Sequence, residues 1–336
     1  MKFGKNSFGA DFSIGDRISF IGRRAYGFIS CFNYEGRRGG SVRLTNRWND
    51  YSYYPSFTLT LTGNYFDAYD DNYFDKLKYD MTSAEYPSIS IELRKYYWVS
   101  TEMEMVVDNN WLRNSINLGM EAGSVRRDNV NIAYQKITFT GKQNIWLNGK
   151  KLINLRQFIG YSPVVLPIAK KYNMAVVNPV DEFSSYIYRT EGIISHSARQ
   201  KRSVPWGEGY MRGYYNQNMP GDNISTVNAE IQISSAFSPV PVLGPIIGIL
   251  SPVFFVDAGR TWNDPDEFRF NRLLTDYGFS VKLPLIIRFY GTNVLSSLEK
   301  MGINSISFDF PVYVSSPLPG EDKIAFRWLF SFQAPL

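Results

Sequence analysis

The sequence predicts an all-β protein, a transmembrane antiparallel β-barrel of about sixteen strands. Three observations predict it. Apolar and polar residues alternate with a period of two along most of the 336-residue chain. Segments of this kind recur roughly every 20 residues, the length of a tilted membrane strand plus a connection. The composition is rich in aromatics, with 23 Tyr and 24 Phe, yet the mean hydropathy is only −0.24. Strands with one face in lipid and the other in water average to such a value.

The alternation can be followed along the chain. "FTLTLTG" sets Phe57, Leu59 and Leu61 against threonines. In "SISIELRKYYWVSTEMEMVV", Ile89, Ile91 and Leu93 alternate with Ser90, Glu92 and Arg94, and Val99, Thr101, Met103 and Met105 then oppose Glu102 and Glu104. "SINLGMEA" sets Ile116, Leu118 and Met120 against Asn117, Gly119 and Glu121. "VNAEIQIS" presents Val227, Ala229, Ile231 and Ile233 opposite Asn228, Glu230 and Gln232. "ISFDFPV" places Ile306, Phe308, Phe310 and Val312 opposite Ser307, Asp309 and Pro311, and "IAFRWLFSF" aligns Ile324, Phe326, Trp328, Phe330 and Phe332. Short connections such as "NYEGRRGGS" after Phe32 and "VDNNW" after Val107 carry turn chemistry, while Tyr65 to Ala84 and Gly160 to Asp222 read as loops on the opposite rim. The one long apolar stretch, Ser238 to Gly259, contains Pro239, Pro241, Pro245 and Pro252, so it is not a membrane helix.

A soluble sandwich also alternates, but its strands are usually five or six residues long. Its dry core would also have to accept Glu92, Glu102, Glu104, Glu121, Glu230 and Asp309, which is costly without partners. A wet, polar lumen accepts them readily. The first sixteen residues lack the apolar run of a secretory signal, as in a mature or excised chain, and residues 1–336 read as one barrel domain.

Several functions are disfavoured. The net charge of +5 is spread over pairs such as Arg23-Arg24 and Arg126-Arg127 with no continuous basic face, so no nucleic acid is expected. A lone Cys31 excludes an intrachain disulfide and cysteine-cluster metal sites. The single His196 lies in a loop-like stretch without a nucleophile elbow, and no phosphate-cradling glycine motif occurs. Glu102 and Glu104 read as solvated or paired lumen carboxylates. The chain therefore reads as a non-enzyme without metal or cofactor.

One run fits neither strand nor helix period: "WGEGYMRGYY", Trp206 to Tyr215. It is followed by "NAEIQI" at Asn228, "FFVDAGRTW" at Phe254 and a terminal aromatic-alternating strand ending "FSFQAPL". In this order the motifs of Glu208 to Leu336 resemble the BamA/TamA/FhaC-type outer-membrane assembly and translocation superfamily, also described as the bacterial surface antigen barrel domain. The resemblance implies an extracellular loop folded back into the barrel, with Arg212 at its tip and Asp257 as counter-ion, inside the strand motif Phe255-x-Asp257-x-Gly259. It assigns the loop tip to Gly209, Gly213 and Tyr214, the glycines allowing a sharp turn and close passage along the wall. The bottom-up pattern gives Asp257 the same direction: Phe254, Val256 and Ala258 share the apolar face, which turns Phe255 and Asp257 inward. Arginine suits such a partner because its planar fork binds a carboxylate bidentately.

By the same resemblance the protein is integral to the outer membrane and assists insertion or translocation of polypeptides. Its partners would be membrane lipid including lipopolysaccharide, client outer-membrane or secreted chains, and accessory subunits. A weakly paired seam between first and last strands would receive the client strand. The family's periplasmic N-terminal repeats are absent from these residues, and the terminal "QAPL" lacks the usual final aromatic. Alternatives are a barrel that anchors or exports a fused enzymatic or binding domain, and a passive pore.

Overall fold

The computed structural model describes residues 10–17, 24–34, 37–48, 55–68, 93–109, 111–127, 130–147, 150–167, 170–175, 207–215, 217, 219–233, 252–264, 267, 269–284 and 305–331. Among these the chain is all-β. The strands are β1 (Ala10–Arg17), β2 (Ala25–Tyr34), β3 (Arg37–Trp48), β4 (Ser56–Ala68), β5 (Leu93–Asp108), β6 (Leu112–Arg127), β7 (Val130–Leu147) and β8 (Lys150–Tyr161). They continue with β9 (Tyr172–Asn173), β10 (Pro220–Gly221), β11 (Asn223–Gln232), β12 (Pro252–Trp262), β13 (Leu274–Pro284), β14 (Ser305–Val314) and β15 (Leu329–Ser331). Among the described residues, thirteen strands form one sheet in the order β1 to β8, then β11 to β15, while β9 pairs with β10. Every registered pair is antiparallel. No helix among the described residues is long and apolar enough to cross a membrane.

The chain divides into two compact units. Unit 1 comprises Met1–Asn109, Ser115–Thr140 and Gly160–Lys170; unit 2 comprises Asn110–Asn114, Gly141–Ile159 and Lys171–Leu336.

In unit 1 the alternation of the sequence becomes two chemically distinct faces. Val42, Leu61, Val99 and Met103 are exposed on one face. Ser30 and Ser41 bond each other across β2 and β3 on the other, and Ser115 donates to Glu104 there. Strands β5 and β6 are 16 residues long and β7 is 18, well beyond the ten expected. About 10 tilted residues cross a bilayer, and the surplus continues the ladder, which satisfies the backbone beyond the apolar layer. Two expectations are corrected. Tyr65 to Ala68 belong to β4, not to a loop, because Tyr65 pairs with Gly40 and Tyr97 on either side. The tight connection from Tyr34 to Arg37 also lies at the same end as the long one from Ala68 to Leu93, because successive antiparallel strands alternate in direction. Connection length therefore does not sort by rim.

In unit 2 the faces are sharper. Along β11, Thr226, Asn228 and Glu230 are buried while Val227 and Ile231 are exposed; along β12, Val253, Phe255 and Asp257 are buried while Val256 is exposed. Asp276 and Ser280 of β13, and Ser307 and Asp309 of β14, continue the buried polar face, with Phe279 and Tyr277 outside. The apolar face is tied together by aromatic pairs, Phe254 with Phe279 and Tyr277 with Tyr313. Among the described residues of the terminal aromatic segment, Leu329–Ser331 form strand and Ile324 bridges Tyr313, while Phe326 is exposed and Arg327 buried as period two requires. Of the proline-rich apolar stretch, residues from Pro252 onward form β12, and those before it lie outside the described residues.

Candidate functional site

Among the described residues the run from Gly207 to Tyr215 has no sheet partner of its own, and a short neighbouring segment holds it instead. Gly207, Gly209 and Met211 donate backbone N–H groups to the carbonyls of Ala175, Asn173 and Met174 at 2.9, 3.0 and 3.1 Å. Met174, Ala175, Met211, Tyr214 and Val314 form a buried apolar cluster. The chain then turns through a single 3-10 turn at Arg212–Tyr214, where Tyr214 donates to the Met211 carbonyl.

The reversal expected at Gly209 and Gly213 falls instead at Tyr210, whose φ of 52° is the one positive value for a non-glycine among the described residues. The glycines serve close approach. A Cβ on Gly213 would sit 2.6 Å from Asp276 Oδ2 and 2.8 Å from Val314 Cγ2, and one on Gly209 would strike the Met174 carbonyl. Both positions are too tight for any side chain.

This backbone delivers Arg212 onto the polar face of β11 to β14 with no exposure to solvent. Its Nε donates to Asp257 Oδ2 and its Nη2 to Asp257 Oδ1, both at 2.8 Å, while its backbone N–H reaches Oδ2 at 3.3 Å. The remaining arm, Nη1, donates to Glu230 Oε1 at 2.8 Å and lies 4.0 Å from Asp309 Oδ1. The Phe255 ring centroid stands 3.7 Å from the guanidinium carbon, and that of Tyr210 4.9 Å. Such contact stabilises a desolvated cation by about 2 kcal/mol. Burial alone would lower the arginine pKa, but Asp257, Tyr210 and Glu230 outweigh it and hold the guanidinium well above its ordinary range. Burial likewise pushes the Tyr210 hydroxyl well up; Arg212 opposes this and the surrounding carboxylates add to it.

A second layer orients the first. Asn228, the cross-strand partner of Asp257, donates to Asp257 Oδ1 at 3.1 Å and to the carbonyls of Tyr210 and Gly209 at 2.9 and 3.3 Å. Arg156 donates to Asn228 Oδ1 at 3.0 Å and to the Glu208 carbonyl at 2.6 Å. Glu230 accepts from Lys282 at 2.5 Å and from Asn154 at 3.1 Å. Asp276, opposite Asp257 in register, accepts the Gly213 N–H, and Asp309 accepts from Ser280 and Ser307. Three cations, Arg212, Arg156 and Lys282, thus face four carboxylates, Asp257, Glu230, Asp276 and Asp309. The Tyr214 hydroxyl bonds Ser315 Oγ at 2.9 Å and accepts the Ser316 N–H at 3.3 Å.

Of the residues singled out in the sequence, Arg212, Asp257, Phe255, Gly213 and Tyr214 gather in this cluster. Gly209 lies at the loop stem, and Gly259 pairs with Thr226 further along β12. His196 lies outside the described residues. Sequence reasoning placed Glu230 and Asp309 on the inward face without joining them to Arg212, and it missed Asp276, Asn228, Arg156 and Lys282 as participants. For Asn228, Glu230 and Asp309 the period-two pattern held the signal. For Arg156 and Asp276 nothing local did, since their partners lie more than fifty residues away.

A different cation is held in unit 1. Lys170 Nζ lies 3.1 Å from Glu121 Oε1 and 3.9 Å from the Trp98 ring centroid. Tyr134 donates to the same Glu121 oxygen at 2.7 Å. Ser162, near the start of this segment, donates to the Gln135 carbonyl at 2.8 Å.

Among the described residues no group of histidine, cysteine and carboxylate side chains could hold a metal. What the Arg212 cluster can do is hold a loop to a sheet by charge-assisted bonds from one guanidinium to two strands.

No family model and no curated protein matches the sequence. Among solved structures the chain is similar to the crystal structure of BamA from Haemophilus ducreyi lacking POTRA domains 1–3, at 14% identity and a TM-score of 0.49, covering 97% of this chain and 61% of that one. It is also similar to CdiB from Acinetobacter baumannii, at 10% identity and a TM-score of 0.37, covering 96% of this chain and 55% of that one. The chain thus spans about three fifths of the first structure's length and just over half of the second's.

Proposed function

We propose that the chain is an outer-membrane β-barrel that assists the insertion or export of other polypeptides, without bond-making chemistry. One observation carries the reading: a fully buried arginine on an infolded loop, clasped by Asp257 and Glu230 of neighbouring strands whose opposite face is apolar and exposed. An apolar outer face suits lipid, and a polar face with four carboxylates suits a lumen. The motifs of Glu208 to Leu336 resemble a superfamily that handles polypeptide clients.

In this reading Arg212 and Asp257 lock the loop, and Gly209, Gly213 and Tyr214 seat it. Lipopolysaccharide and accessory subunits are further partners of the same reading. The test is reconstitution into phosphatidylethanolamine/phosphatidylglycerol vesicles with a urea-unfolded outer-membrane porin chain as client. The barrel should accelerate appearance of protease-resistant porin over empty vesicles, and Arg212→Ala should abolish the gain. No acceleration, together with large steady single-channel currents, would replace the reading with a passive pore.

A further inference from the structure

In unit 2, β14 does not run regularly along β13. Pairing is continuous from Pro284↔Ser305 to Gly278↔Pro311 and resumes at Tyr277↔Tyr313, so Val312 is an extra residue, a β-bulge. Gly278 lies at this irregularity, and a Cβ there would strike the Phe310 carbonyl. One extra residue reverses which side chains face the buried polar side. Ser307, Asp309 and Pro311 are buried there before the bulge. After it Val314 takes that side and is buried, while Tyr313 turns outward and stacks on Tyr277 at 4.8 Å between ring centroids.

The residues re-aimed by the bulge are the ones the infolded loop touches. Val314 joins Met211 and Tyr214 in the buried apolar cluster. Ser315 then closes a ring of bonds with the start of β13: its backbone N–H donates to the Thr275 carbonyl at 2.9 Å, and its Oγ accepts the Thr275 N–H at 2.9 Å. The Tyr214 hydroxyl enters this ring. It lies 2.9 Å from Ser315 Oγ, accepts the Ser316 N–H at 3.3 Å and donates to the Thr275 carbonyl at 3.4 Å. With Ser315 as donor in the first contact, the single proton and both lone pairs of the hydroxyl are used. Gln217 adds a bond from Nε2 to the Ser316 carbonyl at 3.2 Å. The chain beyond Ser316 folds back on the same residues: Val314 donates to the Lys323 carbonyl, Ile324 bridges Tyr313, and Ala325 donates to the Val312 carbonyl.

We propose that the infolded loop clamps the hairpin of Val312 to Ala325, and that the Tyr214 hydroxyl couples the two, so that withdrawal of the loop loosens the hairpin. Arg212 and Tyr214 then have separate tasks. Arg212 binds the loop to Glu230 of β11 and Asp257 of β12, strands that the hairpin does not contain. Tyr214 binds the hairpin to the loop. It is a positioning residue, acting on the hairpin through Ser315 and Ser316. The clamp rests on the seated loop of the reading above and on no client chain.

Hydrogen exchange of the full chain in detergent, read by mass spectrometry on peptides covering 207–215 and 312–325, tests the coupling. In the wild-type chain both peptides should be protected. Tyr214→Phe keeps the ring in the apolar cluster and removes only the hydroxyl; it should speed exchange in 312–325 several-fold and leave 207–215 as in wild type. Arg212→Met should speed both together. Ser315→Ala should act as Tyr214→Phe does, and combining the two should add nothing to either alone, as for partners in one interaction. Unchanged exchange in 312–325 with Tyr214→Phe overturns the clamp, as does an Arg212→Met chain whose loop opens while 312–325 stays protected. A chain that fails to speed porin insertion yet shows the coupled exchange removes the proposed function and leaves the clamp standing.

Discussion

Arg212 and Lys170 are both cations on polar sheet faces, and they are held in different ways. Arg212 is fully buried, uses three of its donor groups on two carboxylates of neighbouring strands, and stacks on Phe255. Lys170 keeps 13% of its side-chain exposure, meets one carboxylate that is itself 23% exposed, and lies over Trp98. A guanidinium fork fixes both distance and orientation, so the Arg212 cluster specifies one loop position; an ammonium over a ring and beside a carboxylate fixes little more than distance. The first cluster behaves as a lock. The second is a tether.

The largest effect that would break this contrast comes from Arg212→Met. Removing it leaves Asp257 buried without the cation that binds both its oxygens and leaves Glu230 with Lys282 alone, which destabilises by about 3–5 kcal/mol. Urea unfolding in detergent should show this, and Arg212→Lys should recover less than half of it for want of the fork. Next comes Gly213→Ala, where the added methyl meets Asp276 and Val314 and costs about 1–3 kcal/mol by overpacking. Lys170→Met should cost only about 1 kcal/mol, discounted for the partial exposure of both partners, with Lys170→Arg near neutral. Smallest is Gly63→Ala, within about 0.5 kcal/mol of wild type because its Cβ enters open space. A loss at Lys170 as large as that at Arg212 would remove the distinction.

These sites differ equally in how far they can be read in sequence. Period two suffices to turn Asn228, Glu230, Asp257 and Asp309 inward, because one slip in register would bury Val227, Ile231 and Val256 among carboxylates. The motif order points to Arg212 and Asp257 together. What is not legible is set by long-range contact. Gly213 reads as a turn glycine, yet it is needed because Asp276, sixty-three residues away, closes on it. Tyr210 carries the left-handed backbone, a conformation nothing in "EGYMRG" assigns to tyrosine over its glycine neighbours. The end of β4 is equally hidden, since "NYFDA" has no clean alternation and only pairing with β3 and β5 keeps it extended.

The central claim is that the loop lies folded against the sheet because Arg212 holds it there. Met211→Cys in a Cys31→Ser background tests this most directly, since Met211 is fully buried and Cys31 is the one other thiol. In vesicles, a membrane-impermeant maleimide should leave the cysteine at position 211 unlabelled, and adding Arg212→Met should expose it to rapid labelling. Rapid labelling with Arg212 intact would contradict the account.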